Sequence, residues 1–178
     1  MEVGRIDELI IGSKGMLGSE LLRVYPRAKG LNHAELDITD MAAVRKALES
    51  MRPRLVINAA AFTDVDACEE DPERAFQVNA EGPGNLARVC EDIGSKFIHF
   101  STDFVFDGQK TDYSEEDPTG PVNEYGKSKL SGERLTATGC HDHRIIRTSW
   151  LFGAPGRNFL SSIIRLSSQL ETVSVVDD

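Results

Sequence analysis

The chain has few cysteines and no pattern of metal ligands. Its 178 residues include three cysteines, Cys68, Cys90 and Cys140, which are widely spaced and form no Cys-x-x-Cys pair. This usage is typical of a reducing, cytoplasmic compartment and predicts buried thiols that behave as small hydrophobic side chains. The four histidines show no ligand spacing either, so we expect no metal site.

Positive charge and long apolar runs are also scarce. Lys and Arg number 20 against 29 Asp and Glu, which gives a formal net charge of −9. This balance argues against a nucleic-acid partner or an anionic membrane surface. No apolar run reaches the length of about 20 residues that a spanning helix needs. The start Met1-Glu2 does not resemble a signal peptide, so we expect a cytoplasmic protein.

Short apolar runs alternate with helical patterns along the whole chain. Strands are predicted at residues 8–11, 28–31, 55–58, 96–100, 144–147 and 172–176, and helices near 16–25, 41–51, 71–78, 83–93, 125–138 and 158–170. This alternation predicts an α/β fold, a Rossmann-like doubly wound parallel sheet flanked by helices on both faces. The length favours a single domain. Residues 63–69 and 107–122 are predicted to be loops, the second a mobile one beside the active site.

A glycine-rich turn follows the first predicted strand and opens the first helix. It reads Gly12-Ser-Lys-Gly15-Met-Leu-Gly18. In this context Gly12 would make the tight turn, Gly15 would let a pyrophosphate approach the backbone, and Gly18 would allow close packing of helix on strand. The spacing G-x-x-G-x-x-G differs from the usual fingerprint, and an ordinary glycine turn is the alternative.

The end of the second predicted strand bears on the choice of cofactor. In a nucleotide-binding βαβ unit an acid at this position would bind the ribose 2′-hydroxyl and disfavour a 2′-phosphate. Residues 31–33 contain no acid, and Arg27 and Lys29 are close in sequence, which favours NADP(H). Glu35 is the nearest acid and leaves NAD(H) open.

Two further segments suit a bound cofactor. Asp37 and Ile38 fit beside the adenine, although Asp37 would equally well start the turn into the second helix. Residues 58–61, Asn-Ala-Ala-Ala, end the third strand. Their small side chains permit close approach of a ligand at the switch point of the sheet, or alternatively close packing of a helix.

Tyr125 and Lys129 lie four residues apart in a predicted helix that Asn123 would start, and so they share one face. A nearby positive charge favours the phenolate and would lower the tyrosine pKa from about 10 toward the range useful in acid/base catalysis. Upstream, Ser101 and Thr102 end the fourth strand. A hydroxyl there would bind a substrate carbonyl, or serve only as a turn or cap.

Taken in order, these motifs resemble the extended short-chain dehydrogenase/reductases. The resemblance is carried by the glycine turn, residues 58–61, the run Ser101-Thr-Asp-Phe-Val-Phe-Asp-Gly108, and Tyr125-x-x-x-Lys129. Leu36-Asp-Ile-Thr-Asp40, Ala61-Phe-Thr-Asp-Val-Asp66 and Arg147-Thr-Ser-Trp-Leu-Phe-Gly153 are most similar to the dTDP-4-dehydrorhamnose reductases within that family. The similarity extends from about residue 7 to the end of the chain.

The resemblance implies NAD(P)H-dependent reduction of the 4-keto group of the nucleotide sugar dTDP-4-dehydro-L-rhamnose to dTDP-L-rhamnose. Tyr125 would be the general acid, Lys129 would lower its pKa and hold the nicotinamide ribose, and Thr102 would complete the catalytic set. The implied cofactor-binding residues are Gly12, Gly15, Met16, Leu17, Gly18, Asn32, Asp37, Ile38, Ala60, Ala61, Thr63, Ser101, Tyr125 and Lys129. The implied substrate-binding residues are Thr102, Asp103 and Trp150.

Relatives in this family continue well beyond the length of this chain, and their additional part contributes much of the sugar-nucleotide pocket. We therefore expect residues 1–178 to form the NAD(P)-binding Rossmann domain, with the substrate subdomain largely absent and with little or no turnover. Asn32 stands where many relatives have an acid, which leaves the cofactor preference open. A homodimer is also left open.

Two other functions are compatible with the same motifs. One is a non-catalytic NADP-binding module similar to the regulatory subunit of methionine adenosyltransferase, and the other is a different nucleotide-sugar epimerase or dehydratase. The complete set of Thr102, Tyr125 and Lys129 favours an enzyme over the first alternative. A dehydratase would want a pair of acids beside the hydroxyl, whereas only Asp103 follows Thr102.

Overall fold

A single parallel sheet organises the molecule. The computed structural model describes residues 6–153, 158–170 and 172–174. In these ranges the strands are β1 Glu8–Ile11, β2 Lys29–Leu31, β3 Leu55–Asn58, β4 Lys96–Thr102 and β5 His143–Thr148. Their order is β2-β1-β3-β4-β5, and each neighbouring pair is parallel. This is one of the two common doubly wound orders. The predicted fold class is therefore confirmed.

Helices connect the strands and cover both faces of the sheet. They are α1 Met16–Val24, α2 Met41–Met51, α3 Val65–Glu70, α4 Pro72–Phe76, α5 Gly82–Ile93, α6 Glu124–Gly139 and α7 Phe159–Ser167. A π-helical turn, Gln77–Glu81, joins α4 to α5, and a 3₁₀ turn, Asp103–Val105, follows β4. α2, α5 and α6 pack side by side. The connection from β1 to β2 runs along the sheet in the direction opposite to the later connections. Because such connections are right-handed, α1 lies on the face opposite to α2, α5 and α6.

Local capping explains where several helices begin and end. The carboxylate of Asp40 accepts hydrogen bonds from the backbone N–H groups of Ala42 and Ala43 and thereby caps α2. Gly94 ends α5 in the left-handed region, at φ 69°. Asn123 caps α6 by accepting from the Gly126 N–H at 2.7 Å. Asp40, Gly94 and Asn123 are residue types that favour these positions, and the start of α6 at Asn123, which the sequence predicted, is confirmed.

Both faces of the central strands are buried. Leu9, Ile10 and Ile11 of β1 and Val56 and Ile57 of β3 are at most 2% exposed. A continuously apolar strand is expected when helices cover both faces of a sheet, and burial of each such side chain contributes about 1.5–3 kcal/mol.

The cysteines also belong to the interior. Cys68, Cys90 and Cys140 are all buried and free, as predicted. Burial raises the pKa of the Cys90 thiol, because the thiolate would lose its hydration.

Two predictions of secondary structure are wrong. The acidic segment 63–69, predicted to be a loop, contains α3, whose N-terminus is capped by Asp64 through the Ala67 N–H at 3.0 Å. Acidic side chains at the start of a helix accept hydrogen bonds from its free N–H groups and interact favourably with the positive end of the helix dipole. The acidic residues of this segment therefore favour the start of a helix. The predicted sixth strand, 172–176, is not formed at residues 172–174, which pair with none of the five strands, and residues 175–176 lie outside the described ranges.

No helix in the described ranges combines the length and the apolarity that crossing a bilayer would require.

Candidate active site

Two adjoining cavities lie at the carboxyl ends of the strands. The first, of about 320 Å³, is bounded by the turn after β1 and by residues that follow β2 and β3. The second, of about 540 Å³, lies over the ends of β3, β4 and β5. Gly15, Ala59 and Ala61 line both, so the two form one trough across the switch point of the sheet, where doubly wound folds bind their ligands.

The glycine turn forms the narrow part of this trough. Gly12 has φ 78°, and a Cβ atom there would lie 2.6 Å from the backbone nitrogen of Ala60. A Cβ on Gly18 would lie 2.1 Å from the Gly12 carbonyl oxygen, which explains its role in close packing. Gly15 is the N-cap of α1, and no side chain caps that helix. The first-turn N–H groups of α1 are therefore free to bind an anion such as a pyrophosphate.

The first cavity contains the residues predicted for the adenosine end. Asn32, Asp37, Ile38 and Ala60 all line it. The Asp37 carboxylate also accepts from the N–H and the hydroxyl of Thr39, at 2.9 and 2.8 Å, and these bonds lower the pKa of Asp37. Asp37 therefore both shapes the turn into α2 and borders the cavity.

The charged residues near this cavity differ from those predicted. Arg27 and Lys29 are not among its lining residues, because β2 begins at Lys29 and the cavity lies at the other end of that strand. The lysine that does line it is Lys14, in the glycine turn. The carboxylate of Glu35 is bound by Asn32, whose N–H donates to it at 2.9 Å and whose side-chain amide also donates. Glu35, the acid nearest to the strand end in sequence, is thus held by Asn32 and does not line the cavity, whereas Asp37 does.

The second cavity brings together the proposed catalytic residues. Tyr125 and Lys129, from α6, face Ser101 and Thr102 at the end of β4 across it. The other predicted residues Met16, Leu17, Ala61, Thr63, Asp103 and Trp150 also line this cavity. Gly18 is the one predicted site residue that lines neither cavity, in keeping with its packing role.

The two hydroxyl residues of β4 differ in their bonding. Thr102 donates to the Asp103 carboxylate at 3.0 Å and accepts from the Phe104 N–H at 3.2 Å, which caps the 3₁₀ turn. The cap interpretation of the Ser-Thr pair therefore holds for Thr102, which also lines the second cavity. The Ser101 hydroxyl is buried and has no hydrogen-bond partner in the described part of the chain.

Burial controls the ionisation of the tyrosine and the lysine. Lys129 is 2% exposed and donates to the Phe100 carbonyl oxygen at 2.6 Å. Burial lowers the pKa of Lys129 to about 8. It raises the pKa of Tyr125, with Cys68 and Asp103 adding to the rise and the Thr102 hydroxyl opposing it. The expectation that Lys129 lowers the tyrosine pKa is therefore wrong for this arrangement, because loss of hydration dominates and the ammonium binds a carbonyl.

Trp150 forms an exposed wall of the second cavity. It is 74% exposed, and its ring meets that of Phe159 edge-on with centroids 5.0 Å apart. Its backbone has φ 51°, in the left-handed region that costs a non-glycine residue about 1–3 kcal/mol. Strain of this kind clusters at functional sites.

Sequence reasoning missed several residues of the trough. Lys14 and His33 line the first cavity, as does Phe62, whose ring lies 4.7 Å below the guanidinium of Arg74. Lys14 could have been found, because it lies inside the glycine motif. Arg74 gives no local signal, since only the packing of α4 brings it there. No cluster of three or more His, Cys, Asp or Glu placed to hold a metal occurs among the residues that the structure describes.

Comparison with known proteins identifies relatives over nearly the whole chain. A family model described as RmlD substrate binding domain matches residues 7–178. A dTDP-4-dehydrorhamnose reductase of Streptomyces griseus is 45% identical over 96% of this chain. A dTDP-4-keto-6-deoxy-D-glucose reductase of Streptomyces niveus is 39% identical over 96% of this chain. The crystal structure of dTDP-4-dehydrorhamnose reductase from Bacillus anthracis in complex with NADP has a TM-score of 0.92 and 34% identity over 97% of this chain.

The match covers only part of each relative. The chain spans 58% of the S. griseus protein, 61% of the S. niveus protein and 63% of the B. anthracis chain.

Proposed function

Because this chain belongs to the RmlD substrate binding domain family, we propose that it forms the cofactor-binding and proton-donating part of a dTDP-4-dehydrorhamnose reductase. The observation that carries the proposal is the convergence of Thr102, Tyr125 and Lys129 in a cavity continuous with the glycine turn. The proposed reaction reduces the 4-keto group of dTDP-4-dehydro-L-rhamnose to give dTDP-L-rhamnose. The remainder of the nucleotide-sugar pocket would correspond to the part of the relatives that this chain does not match.

The trough fits a nicotinamide dinucleotide. The uncapped N-terminus of α1 suits a pyrophosphate, and the absence of a side chain at Gly15 leaves room for it. When bound, NADPH would supply the hydride that reduces the ketone carbon. Its adenosine end would lie in the first cavity, beside Asp37 and Ile38, and its nicotinamide end in the second.

Tyr125 would supply the proton. Its raised pKa keeps the phenol protonated at neutral pH, which is the form that a general acid needs. As hydride reaches the ketone carbon, the C=O double bond becomes a single bond, and the oxygen takes the phenolic proton to become a hydroxyl. Thr102 would hydrogen-bond that oxygen and orient it.

Lys129 would act on the cofactor and not on the tyrosine pKa. With a pKa of about 8 it is mostly protonated at neutral pH. Its ammonium has three donors and would also hold the nicotinamide ribose.

Lys14 supports NADPH over NADH. It lines the first cavity together with Asn32 and His33, and Glu35 is held by Asn32. An ammonium there would bind a 2′-phosphate, whereas a free carboxylate would disfavour it.

Binding of the two cofactors tests this assignment. The chain has a single tryptophan, Trp150, in the second cavity, so its fluorescence reports occupancy there. We expect tighter binding of NADPH than of NADH. Lys14→Glu should weaken NADPH binding by about tenfold or more, or 1.4 kcal/mol, and leave NADH nearly unchanged. Lys46→Glu, the same charge change on exposed α2, is the control. Equal affinities for both cofactors in the wild type would overturn the preference.

A single-turnover reaction tests the chemistry. Stoichiometric chain, NADPH and dTDP-4-dehydro-L-rhamnose are mixed, and the loss of NADPH absorbance is followed. We expect slow oxidation of NADPH, which Tyr125→Phe should slow further by roughly 10²–10⁴-fold. Product with the opposite configuration at a carbon and no net NADPH consumption would indicate an epimerase instead. Tight NADPH binding with no conversion of the sugar would indicate a binding module.

A further inference from the structure

A small hydrophobic cluster, separate from the main core, follows β4. Its buried members are Val105, Phe106 and Leu130, and the partly buried Tyr113 packs against them. Leu130 belongs to α6 and directly follows Lys129, whereas Val105 and Phe106 come from the turn after β4 and its end. The cluster therefore joins that turn to the helix that carries the tyrosine and the lysine of the second cavity.

Phe106 has a second aromatic ring and a cation as neighbours. The Tyr113 ring stacks on it with centroids 4.3 Å apart and an interplanar angle of 17°. The guanidinium carbon of Arg147 lies 5.0 Å from the centroid of the same Phe106 ring. At this distance the ring quadrupole attracts a cation, and the attraction is stronger when water is excluded, as it is around the buried Phe106. Arg147, at the end of β5, therefore helps to fix Phe106.

α6 in turn fixes Arg147. Its Nε and Nη2 donate to the two carboxylate oxygens of Glu133 at 2.9 and 2.7 Å. Such a two-pronged pair sets the orientation of the guanidinium plane as well as its distance. Glu133 is 6% exposed and follows Tyr125 and Lys129 along one face of α6. The ion pair thus holds Phe106 at a set distance from the helix of Tyr125.

The place of Phe106 decides the place of the turn before it. Its N–H donates to the Asp103 carbonyl at 2.9 Å and so closes the 3₁₀ turn. In that turn Phe104 meets the Tyr125 ring edge-on, with centroids 5.6 Å apart. Thr102 caps the turn and lines the second cavity. A shift of Phe106 would therefore move the Thr102 hydroxyl relative to the phenol.

We infer that Arg147, held by Glu133, is a positioning residue for the proposed reductase reaction. It lines neither cavity and would act through Phe106 on the separation between Thr102 and Tyr125. Both hydroxyl groups have to reach one carbonyl oxygen, so a small displacement should slow the reduction more than it weakens cofactor binding. The inference rests on the proposed function, because that separation matters only if both groups act on one substrate.

The ion pair allows charge and geometry to be changed separately. Arg147→Lys keeps a cation opposite Glu133, but an ammonium is a point charge without the planar fork that orients the guanidinium over Phe106. Arg147→Met removes the cation and leaves a buried carboxylate unpaired, which should lower the melting temperature. Arg147→Lys should therefore displace Phe106 and preserve most of the stability, and it remains informative if Arg147→Met does not fold.

Arg45→Met is the matched control. Arg45 also joins two elements through carboxylates, since its Nη1 lies 3.3 Å from Glu49 of α2 and 2.9 Å from Asp92 of α5. It lines neither cavity. Its ion pairs are exposed, so we expect a small change in the melting temperature and no change in the reduction rate.

The decisive measurement is the single-turnover rate at saturating NADPH, in the wild type and in a Thr102→Val background. We expect Arg147→Lys to lower the wild-type rate by about tenfold, whereas NADPH affinity from Trp150 fluorescence should change far less. In Thr102→Val the same substitution should lower the rate by less than about twofold, because the hydroxyl that Arg147 positions is already absent. An equal rate loss in both backgrounds would overturn the inference and leave Arg147 a purely structural residue.

The Tyr125 phenol pKa gives a readout that needs no sugar. It is measured by ultraviolet titration of tyrosinate, with the Tyr125→Phe form of each chain as the reference. Burial is the largest cause of its rise, so displacement of the turn in the Arg147 variants should lower it toward about 10, and Arg45→Met should not. A wild-type chain that reduces no sugar would contradict the proposed function. An unchanged phenol pKa in both Arg147 variants would contradict the positioning role itself.

Discussion

The Lys129 ammonium donates a 2.6 Å hydrogen bond to the Phe100 carbonyl oxygen, one residue before the Ser101-Thr102 strand end. This bond ties the middle of α6 to β4 and keeps the lysine inside the protein. Tyr125 and Lys129 share one helical face, yet the pKa of each is set by burial and not by the charge of the other. The tyrosine pKa rises and the lysine pKa falls, and each change follows from the loss of water around the charged form.

The lysine gives the protein a distinctive pH dependence of stability. Its pKa is about 8 when folded, below the ordinary value of 10.5, so between these values the unfolded chain binds a proton that the folded chain has released. Stability attributable to Lys129 therefore rises with pH through this window. Relative to Lys129→Met, the wild type should gain up to about 3 kcal/mol between pH 8 and 10.5.

Urea unfolding of both chains at pH 7 and pH 10 measures this difference. Lys127→Met is the control, because Lys127 is exposed on the same helix and its pKa is raised by Glu124. The interpretation fails if the gap between wild type and Lys129→Met is the same at both pH values.

Removal of the Tyr125 hydroxyl should slow the reduction and leave NADPH binding unchanged. Tyr125→Phe keeps the ring, so NADPH affinity should survive, while the reduction rate falls by roughly 10²–10⁴-fold, the usual contribution of general acid catalysis. Thr102→Val should cost less, on the order of 1.5–3 kcal/mol for one hydrogen bond to a developing charge. Tyr113→Phe is the control, because the Tyr113 hydroxyl binds Asp107 outside the two cavities. A Tyr125→Phe chain that kept the wild-type rate and its alkaline limb would exclude Tyr125 as the acid.

The 178-residue chain should turn over far more slowly than a typical enzyme. Trp150, which lines the second cavity and is predicted to bind the substrate, is 74% exposed, so we expect little to hold the sugar in the orientation that hydride transfer needs. Steady-state oxidation of NADPH with dTDP-4-dehydro-L-rhamnose checks this. A rate within the usual range of about 1–1000 per second would show that the cavity described here is sufficient.

Substitutions at Gly15 and Gly18, in the same turn, should affect different properties: cofactor binding in the first case and stability in the second. Gly15 has φ −71°, and its nearest crowding atom is the Gly12 carbonyl oxygen at 3.2 Å, so Gly15→Val should fold and weaken NADPH binding by at least about tenfold. Gly18→Ala would force a Cβ to 2.1 Å from that same oxygen and should lower the melting temperature markedly. Nucleotide titration and thermal unfolding of both variants separate the effects. Wild-type NADPH affinity in Gly15→Val would refute pyrophosphate binding at this turn.

The sequence by itself determined the features that depend on neighbouring residues. Apolar runs gave β1, β3 and β4, residue types gave the caps at Asp40, Gly94 and Asn123, and helical spacing put Tyr125 and Lys129 on one face. Such signals are local, because strand and helix periods repeat within a few residues. The error at α3 was also local, since acids that cap a helix resemble a polar loop.

Only the tertiary structure decided which charged and polar groups meet. In the folded chain Arg27 and Lys29 do not line the first cavity, whereas Lys14 does, and Lys129 binds the Phe100 carbonyl. Asn79 forms hydrogen bonds with Phe62 and Ser128, which are 17 and 49 positions away in sequence. These contacts depend on how crossovers and helix packing place distant segments, and the ionisation of Tyr125 and Lys129 depends on the water that this packing excludes. Neither quantity is encoded in any short stretch of the chain.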